Sequence, residues 1–92
     1  MIALAWVNGE TGVIQPVHEI AAAVRARRAD AIVLVDAAQA VGRLPIRDMP
    51  SDVLTFSGHK LHGPAGVGVM ALADPDEDRI APLICGGGQE GG

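Results

Sequence analysis

The 92-residue sequence predicts an α/β fold with a mostly parallel sheet, and three observations support this. Short apolar runs that contain Val and Ile recur along the chain. A segment with helical periodicity separates the first run from the second. The second run is apolar without alternation, which is typical of a parallel strand covered on both faces. With 49% hydrophobic and 20% charged residues, the chain has the composition of one globular unit.

The first strand covers residues 2–7, is predicted to be buried, and ends in a turn at Asn8-Gly9. The helix begins at Pro16, a residue that suits a first helical turn. Its apolar residues follow the i, i+3, i+4, i+7 spacing of a single stripe, and arginines follow near its C-terminal end. Further strands are predicted at residues 31–35, 52–56 and 67–72, and an acidic surface turn at residues 74–78.

The predicted elements do not cover the predicted sheet. Strands that are apolar on both faces need helices on both faces, and only one helix is clear in the sequence. Much of the sheet would therefore be exposed. The glycine-rich run at residues 86–92 leads to no further element. We therefore interpret residues 1–92 as a piece of a larger domain whose sheet is incomplete.

Composition argues against several classes of partner. Seven basic residues against eleven acidic ones, and only two aromatic side chains, Trp6 and Phe56, argue against a nucleic-acid partner. The longest apolar run, residues 1–7, is too short to cross a bilayer or to serve as a secretory signal, so no membrane association is predicted. The single cysteine, Cys85, has no disulfide partner in the chain, and a cytoplasmic location is predicted.

Lys60 is the only lysine, whereas the other six basic residues are arginines. It lies in a loop bracketed by Gly58 and by Gly63-Pro64. An amine can lose its proton and attack a carbonyl, but a guanidinium stays charged. Lys60 is therefore a candidate Schiff-base residue, and the alternative is an ordinary solvent-exposed loop lysine.

Asp36 follows the apolar run at residues 31–35, at the sheet edge where α/β proteins bind ligands. A carboxylate there can hold the protonated ring nitrogen of a pyridoxal phosphate cofactor. Alternatively, Asp36 caps the segment that follows it by accepting backbone N–H bonds.

Four motifs occur in an order and at a spacing that resemble the class V aminotransferases, and within them the cysteine desulfurases. The resemblance spans nearly the whole chain. It implies the large domain of the pyridoxal phosphate-dependent transferases of fold type I, the aspartate aminotransferase-like fold, with residues 1–92 as its central segment. The motifs are VNGETG at 7–12, DAAQAVG at 36–42, SGHKLHGP at 57–64 and GGGQE at 86–90.

The resemblance also implies residue roles. Lys60 would be the catalytic lysine that carries pyridoxal 5'-phosphate, and Asp36 would hold the pyridine nitrogen. Gln39 would lie near the phenolic oxygen of the cofactor, and Ser57 and His59 would contact its phosphate. These roles agree with a reactive amine and a ring-holding carboxylate.

One position departs from the family pattern. The family usually has two consecutive Asn residues before the Glu, and the second, which contacts the cofactor, corresponds to Gly9. Glycine has no side chain to donate a hydrogen bond. Either Gly9 re-aims Asn8 toward the cofactor, or that contact is lost.

The family's further phosphate-binding loop and ring-stacking histidine would precede Met1, and its nucleophilic cysteine would follow Gly92. Cys85 precedes the glycine run and is interpreted as a small buried hydrophobe, not as that nucleophile. His59 and His62 lack the regular helix and Cys-x-x-Cys that would favour a metal site, so no metal is predicted.

The complete enzyme implied by the resemblance converts L-cysteine into L-alanine and passes sulfur on as a persulfide for iron–sulfur cluster or thio-cofactor synthesis. It would be a homodimer that delivers sulfur to an acceptor protein. The 92-residue chain by itself is predicted to be inactive. Two alternatives stay open: a catalytically dead remnant or interaction module of the same fold, and a related class V enzyme such as a selenocysteine lyase.

Overall fold

The computed structural model describes residues 1–75, 78–84 and 86–90. Its strands and helix follow the predicted order, and two short 3₁₀ helices occur in addition. The elements are β1 (Ile2–Ala5), α1 (Val17–Arg27), β2 (Val33–Asp36), β3 (Val53–Ser57), a first 3₁₀ helix (Gly58–Leu61), β4 (Gly68–Leu72) and a second 3₁₀ helix (Gly88–Glu90).

The four strands form one sheet in the order β1-β2-β3-β4. The first three strands are parallel, and β4 runs antiparallel to β3. Parallel strands need a crossover of about a dozen residues or more, and the connection at residues 58–67 is shorter than that, so β4 returns antiparallel. The predicted α/β fold with a mostly parallel sheet is confirmed.

Helix α1 connects β1 to β2 and covers one face of the sheet. Its apolar stripe is as predicted: Val17 and Ala21 are fully buried. They pack in one core cluster with Val33 and Val35 of β2, which are also fully buried. Burial of each of these valines contributes about 1.5–3 kcal/mol to folding.

The prediction that the first strand is buried is wrong. β1 is an edge strand, so it pairs only with β2. Ile2 is 42% exposed, and Ala3 and Ala5 are exposed as well. The strand also ends at Ala5, after which Trp6 enters the core with only 7% of its surface exposed.

The face of the sheet opposite α1 is largely uncovered, as the shortage of helices predicted. The strand register places Ala5, Asp36, Thr55 and Met70 side by side on this face. Ala5, Asp36 and Met70 are exposed, and Thr55 is half-buried. Of the β3 residues on this face, Val53 is nevertheless fully buried, so the exposure is concentrated toward the carboxyl ends of the parallel strands.

Asp52 connects β2, β3 and α1 at the edge of the sheet where the strands begin. Its carboxylate accepts a hydrogen bond from the Val33 N–H (2.7 Å) and from the Arg25 guanidinium (3.2 Å). Burial by itself raises the pKa of Asp52, but these two bonds outweigh it and leave that pKa below its usual value. The carboxylate is therefore held in its charged form.

Two expectations fall wholly or partly outside the described residues. In the acidic turn at 74–78, Asp74 and Asp78 are exposed, and Asp76 and Glu77 lie outside those residues. Cys85 lies outside them too, so its interpretation stays a prediction. Within the described ranges, no helix has the length and apolar content needed to cross a membrane.

Candidate functional site

The parallel pairing brings the carboxyl ends of β1, β2 and β3 to one edge of the sheet. Every residue given a site role in the sequence lies at this edge: Asn8 after β1, Asp36 and Gln39 at and after β2, and Ser57, His59 and Lys60 at and after β3. Backbone bonds connect the three ends: the Trp6 N–H donates to the Asp36 carbonyl (2.9 Å), and the Ala37 N–H to the Thr55 carbonyl (2.7 Å). This is the edge where open α/β sheets bind ligands.

Asp36 is the last residue of β2, and its side chain is exposed on the uncovered face. Its Oδ1 accepts the Ala38 N–H at 2.9 Å, which is the capping bond considered as the alternative role. Capping engages one carboxylate oxygen, so it is compatible with a second role for the carboxylate.

A tight turn follows Asp36 and is anchored in the core. Ala37 and Ala40 are fully buried, and the Ala40 N–H donates to the Ala37 carbonyl (2.9 Å). The turn holds Gln39, which is half-buried, against the loop that follows β1. A Cβ added at Gly9 would lie 3.2 Å from the Gln39 Nε2, a tight contact that a small shift of the Gln39 amide would relieve.

Asn8 is engaged in its own loop. Its Oδ1 accepts the backbone N–H groups of Glu10 and Thr11, each at 2.9 Å. Such bonds stabilise a turn and fix the rotamer of the side chain. These bonds use only the oxygen of the Asn8 amide, so both alternatives for this position stay predictions.

Lys60 lies in the first 3₁₀ helix, directly after β3, and its side chain is exposed. Ser57 precedes this helix, and its hydroxyl does not cap it. His62 caps the C-terminal end of this helix and has a left-handed backbone (φ 63°). The Gly63 N–H then donates back to the Gly58 carbonyl (3.0 Å). The loop that carries Lys60 is therefore closed on itself.

Gly63 explains part of that closure. A Cβ at Gly63 would lie 2.9 Å from the Gly58 carbonyl oxygen, closer than real Cβ atoms come to backbone. The Gly58 N–H also donates to the Val67 carbonyl (2.8 Å), which ties the start of the loop to its end. The absence of a side chain at Gly63 therefore permits the tight turn behind Lys60.

A cavity of about 300 Å³ lies beside Lys60, where the turn after β2 meets the first 3₁₀ helix. A larger groove of about 640 Å³ lies at the opposite edge of the sheet, between α1 and the beginnings of β1 and β2. That groove is remote from the carboxyl ends of the strands, and of the residues given a site role in the sequence only Lys60 lines the smaller cavity. The cavity is lined by Val41, Gly42, Arg43, Lys60, Leu61 and His62.

Sequence reasoning gave no role to Gly42, Arg43 or Leu61. The Arg43 guanidinium donates to the Lys60 carbonyl (3.4 Å). Gly42 has φ +77°, and a Cβ there would lie 2.6 Å from a methyl carbon of Leu61. The glycine at the end of the DAAQAVG motif was the available signal, because glycine is the usual residue at positive φ.

His59 and His62 are both exposed and lie on either side of Lys60. Among the residues that the structure describes, no group of three His, Cys, Asp or Glu side chains is arranged to hold a metal ion.

Residues 1–90 match the family model of the class-V aminotransferases, and the chain belongs to that family. The resemblance inferred from the four motifs is confirmed.

Individual relatives are similar over nearly the whole chain. A mitochondrial cysteine desulfurase of Arthroderma benhamiae is 44% identical over all of this chain. A cysteine desulfurase of Bradyrhizobium diazoefficiens is 47% identical over 95% of it. The solved structure of SspA in complex with cysteine superposes on 97% of this chain with a TM-score of 0.81 and 37% identity. The chain spans only 18% and 22% of the two relatives and 26% of the solved chain.

The chemistry of the side chains at the carboxyl edge fits pyridoxal phosphate. An exposed carboxylate (Asp36) ends the central strand of the parallel set, and an exposed amine (Lys60) follows the next strand. A half-buried amide, Gln39, lies in the turn after Asp36. Ser57, which does not cap the 3₁₀ helix, and the exposed His59 flank the amine with groups that can bind phosphate.

Proposed function

We propose that the chain is the central, cofactor-carrying segment of a pyridoxal phosphate-dependent cysteine desulfurase. The observation that carries the proposal is the placement of Asp36 and Lys60 at the carboxyl ends of adjacent parallel strands. The similarity to cysteine desulfurases over nearly the whole chain supports the same reaction class. The complete enzyme would convert L-cysteine to L-alanine and release sulfur as a persulfide.

When bound, pyridoxal phosphate supplies an aldehyde that bonds to amines and a ring that withdraws electrons. Lys60 would supply the amine that holds the cofactor, and as a free amine it could move a proton at the substrate α-carbon. Asp36 would hold the ring nitrogen. Gln39 would donate a hydrogen bond to the phenolic oxygen, and Ser57 and His59 would bind the phosphate.

The complete enzyme is proposed to be a homodimer that passes sulfur to an acceptor protein in iron–sulfur cluster assembly. The cytoplasmic location stays a prediction, since the Arthroderma benhamiae relative is mitochondrial. A second candidate function, an interaction module that has lost catalysis, is supported by the uncovered sheet face. On that face Met70 is 56% exposed.

The proposal is tested by adding pyridoxal phosphate to the purified chain, reducing with borohydride and locating the adduct by peptide mass. Mapping is direct because Lys60 is the only lysine and the only other amine is at Met1. We expect a saturable adduct on Lys60 that Lys60→Ala abolishes. No adduct on Lys60 at any cofactor concentration would contradict the proposal and favour the interaction module.

Asp36→Asn separates the two roles of Asp36. Asparagine keeps an oxygen that can accept the Ala38 N–H, so the cap is retained while the charge is lost. We expect weaker adduct formation with Asp36→Asn and no change with Asp48→Asn, whose side chain is 77% exposed and follows the turn after β2. Equal adduct formation in both variants would argue that Asp36 serves only as a cap.

A further inference from the structure

The turn after β2 and the Lys60 loop are in direct contact at two neighbouring positions. Gly42 leaves room for a methyl group of Leu61, since a Cβ at Gly42 would lie 2.6 Å from it. The next residue, Arg43, donates to the backbone carbonyl of Lys60 at 3.4 Å. Both contacts fall on the 3₁₀ helix that carries Lys60, and Leu61 is half-buried there.

The same turn begins at Asp36. Between Asp36 and Arg43 the backbone is held by the Ala38 bond to the Asp36 carboxylate and by the Arg43 N–H, which donates to the Ala40 carbonyl (3.0 Å). Ala40 is fully buried and fixes the turn in the core. One hydrogen-bonded segment, anchored in the core at Ala40, therefore runs from the carboxylate to the contacts with the lysine loop.

From this arrangement we infer that Gly42 and Arg43 are positioning residues that set the place of Lys60 relative to Asp36. The inference deepens the proposed function and rests on it for its catalytic meaning. Gly42 acts by leaving the space that a Leu61 methyl group occupies, and Arg43 acts through its hydrogen bond to the Lys60 carbonyl. Neither residue needs to touch the cofactor, and a shift of about 1 Å in a reacting group is enough to impair catalysis.

Gly42→Ala tests the first contact, and Gly12→Ala is its matched control. Both glycines have positive φ, +77° and +73°, so alanine strains the backbone equally at each. Only Gly42 has a side chain within reach of the added methyl group, because nothing lies within 4 Å at Gly12. Arg43→Met tests the second contact, with the exposed Arg47→Met as its control.

Two readouts report on the loop without the cofactor. Reductive ¹³C-methylation labels Lys60 as the only lysine signal in an NMR spectrum. Hydrogen exchange of the Gly63 N–H reports on loop closure through its bond to Gly58. We expect Gly42→Ala to shift the Lys60 signal, to speed Gly63 exchange about tenfold and to weaken the borohydride-trapped adduct about tenfold. The control variants stay at the wild-type values.

Leu61→Ala keeps the test valid if Gly42→Ala is poorly folded. Because Leu61 supplies the methyl group that the new Cβ meets, Gly42→Ala should shift the Lys60 signal far less in a Leu61→Ala background. Trp6 fluorescence, from a side chain only 7% exposed, verifies folding of each variant.

The outcomes separate the inference from the proposed function. If wild type forms no Lys60 adduct, the proposed function fails, while the Lys60 signal and the Gly63 exchange still decide the positioning inference. If Gly42→Ala leaves both cofactor-free readouts unchanged, or if Gly12→Ala alters them equally, the positioning inference is overturned and the proposed function stands on its own test.

Discussion

Replacing Asp52 with asparagine removes a charge that connects three elements of the fold. The carboxylate accepts the Val33 N–H at 2.7 Å, and asparagine keeps an uncharged oxygen for that bond. Weakening it from a charge-assisted to an ordinary hydrogen bond costs about 1 kcal/mol. The ion pair with Arg25, whose side chains are 42% and 21% exposed, adds about 0.5 kcal/mol. We expect Asp52→Asn to lower the free energy of unfolding by about 1.5 kcal/mol at neutral pH.

The pH dependence of this loss has a definite sign. The folded-state pKa of Asp52 is lowered, since the bonds from Val33 and Arg25 outweigh burial, which raises it. The stability that the charge contributes is therefore present above the unfolded-state pKa of about 3.9, and it is lost as pH falls through the folded-state pKa. The difference between wild type and Asp52→Asn should be constant from pH 7 to pH 5 and should shrink in more acidic solution.

Urea unfolding followed by Trp6 fluorescence at a series of pH values measures both quantities. Asp30→Asn is the control: the Arg28 guanidinium lowers the pKa of Asp30 too, but both side chains are 73% exposed, so we expect little change in stability. Two results would refute this account of Asp52. One is a free energy of unfolding for Asp52→Asn equal to that of wild type at pH 7. The other is a difference between the two proteins that persists undiminished below pH 3.

Three further variants test the core, the lysine loop and the uncovered face. Val35→Ala removes a fully buried side chain and should lower the free energy of unfolding by about 2 kcal/mol, whereas Val13→Ala, at 52% exposure, should cost much less; equal urea midpoints would contradict this. Gly63→Ala places a Cβ 2.9 Å from a backbone oxygen and should destabilise the chain by about 1–3 kcal/mol in the same assay, while Gly88→Ala, with open space, should not. Met70→Lys should change the free energy of unfolding by less than about 0.5 kcal/mol and reduce light scattering from self-association. Unchanged scattering would argue that the uncovered sheet face does not mediate self-association.

Residue order determined the α/β class and the edge on which the candidate site lies. A non-alternating apolar run that ends in Asp36 indicates a parallel strand, and parallel strands end at one edge. The stripe that includes Val17 and Ala21 predicted the buried face of α1, because helical periodicity and burial are local in sequence. The motifs around Asp36 and Lys60 were sufficient to identify the family.

Other features depend on pairing and packing that no local pattern specifies. The residues of β1 have an apolar pattern whether the strand is central or at an edge, so only the strand order revealed the exposure of Ile2. The engagement of the Asn8 oxygen by its own loop likewise required the backbone geometry. The contact of Gly42 with Leu61 joins residues nineteen positions apart in the sequence, and it exists because two turns meet at the carboxyl edge of the sheet. Sequence thus determined which residues are candidates for the chemistry, whereas the tertiary structure decided what holds them in place, because positioning depends on contacts between segments far apart along the chain.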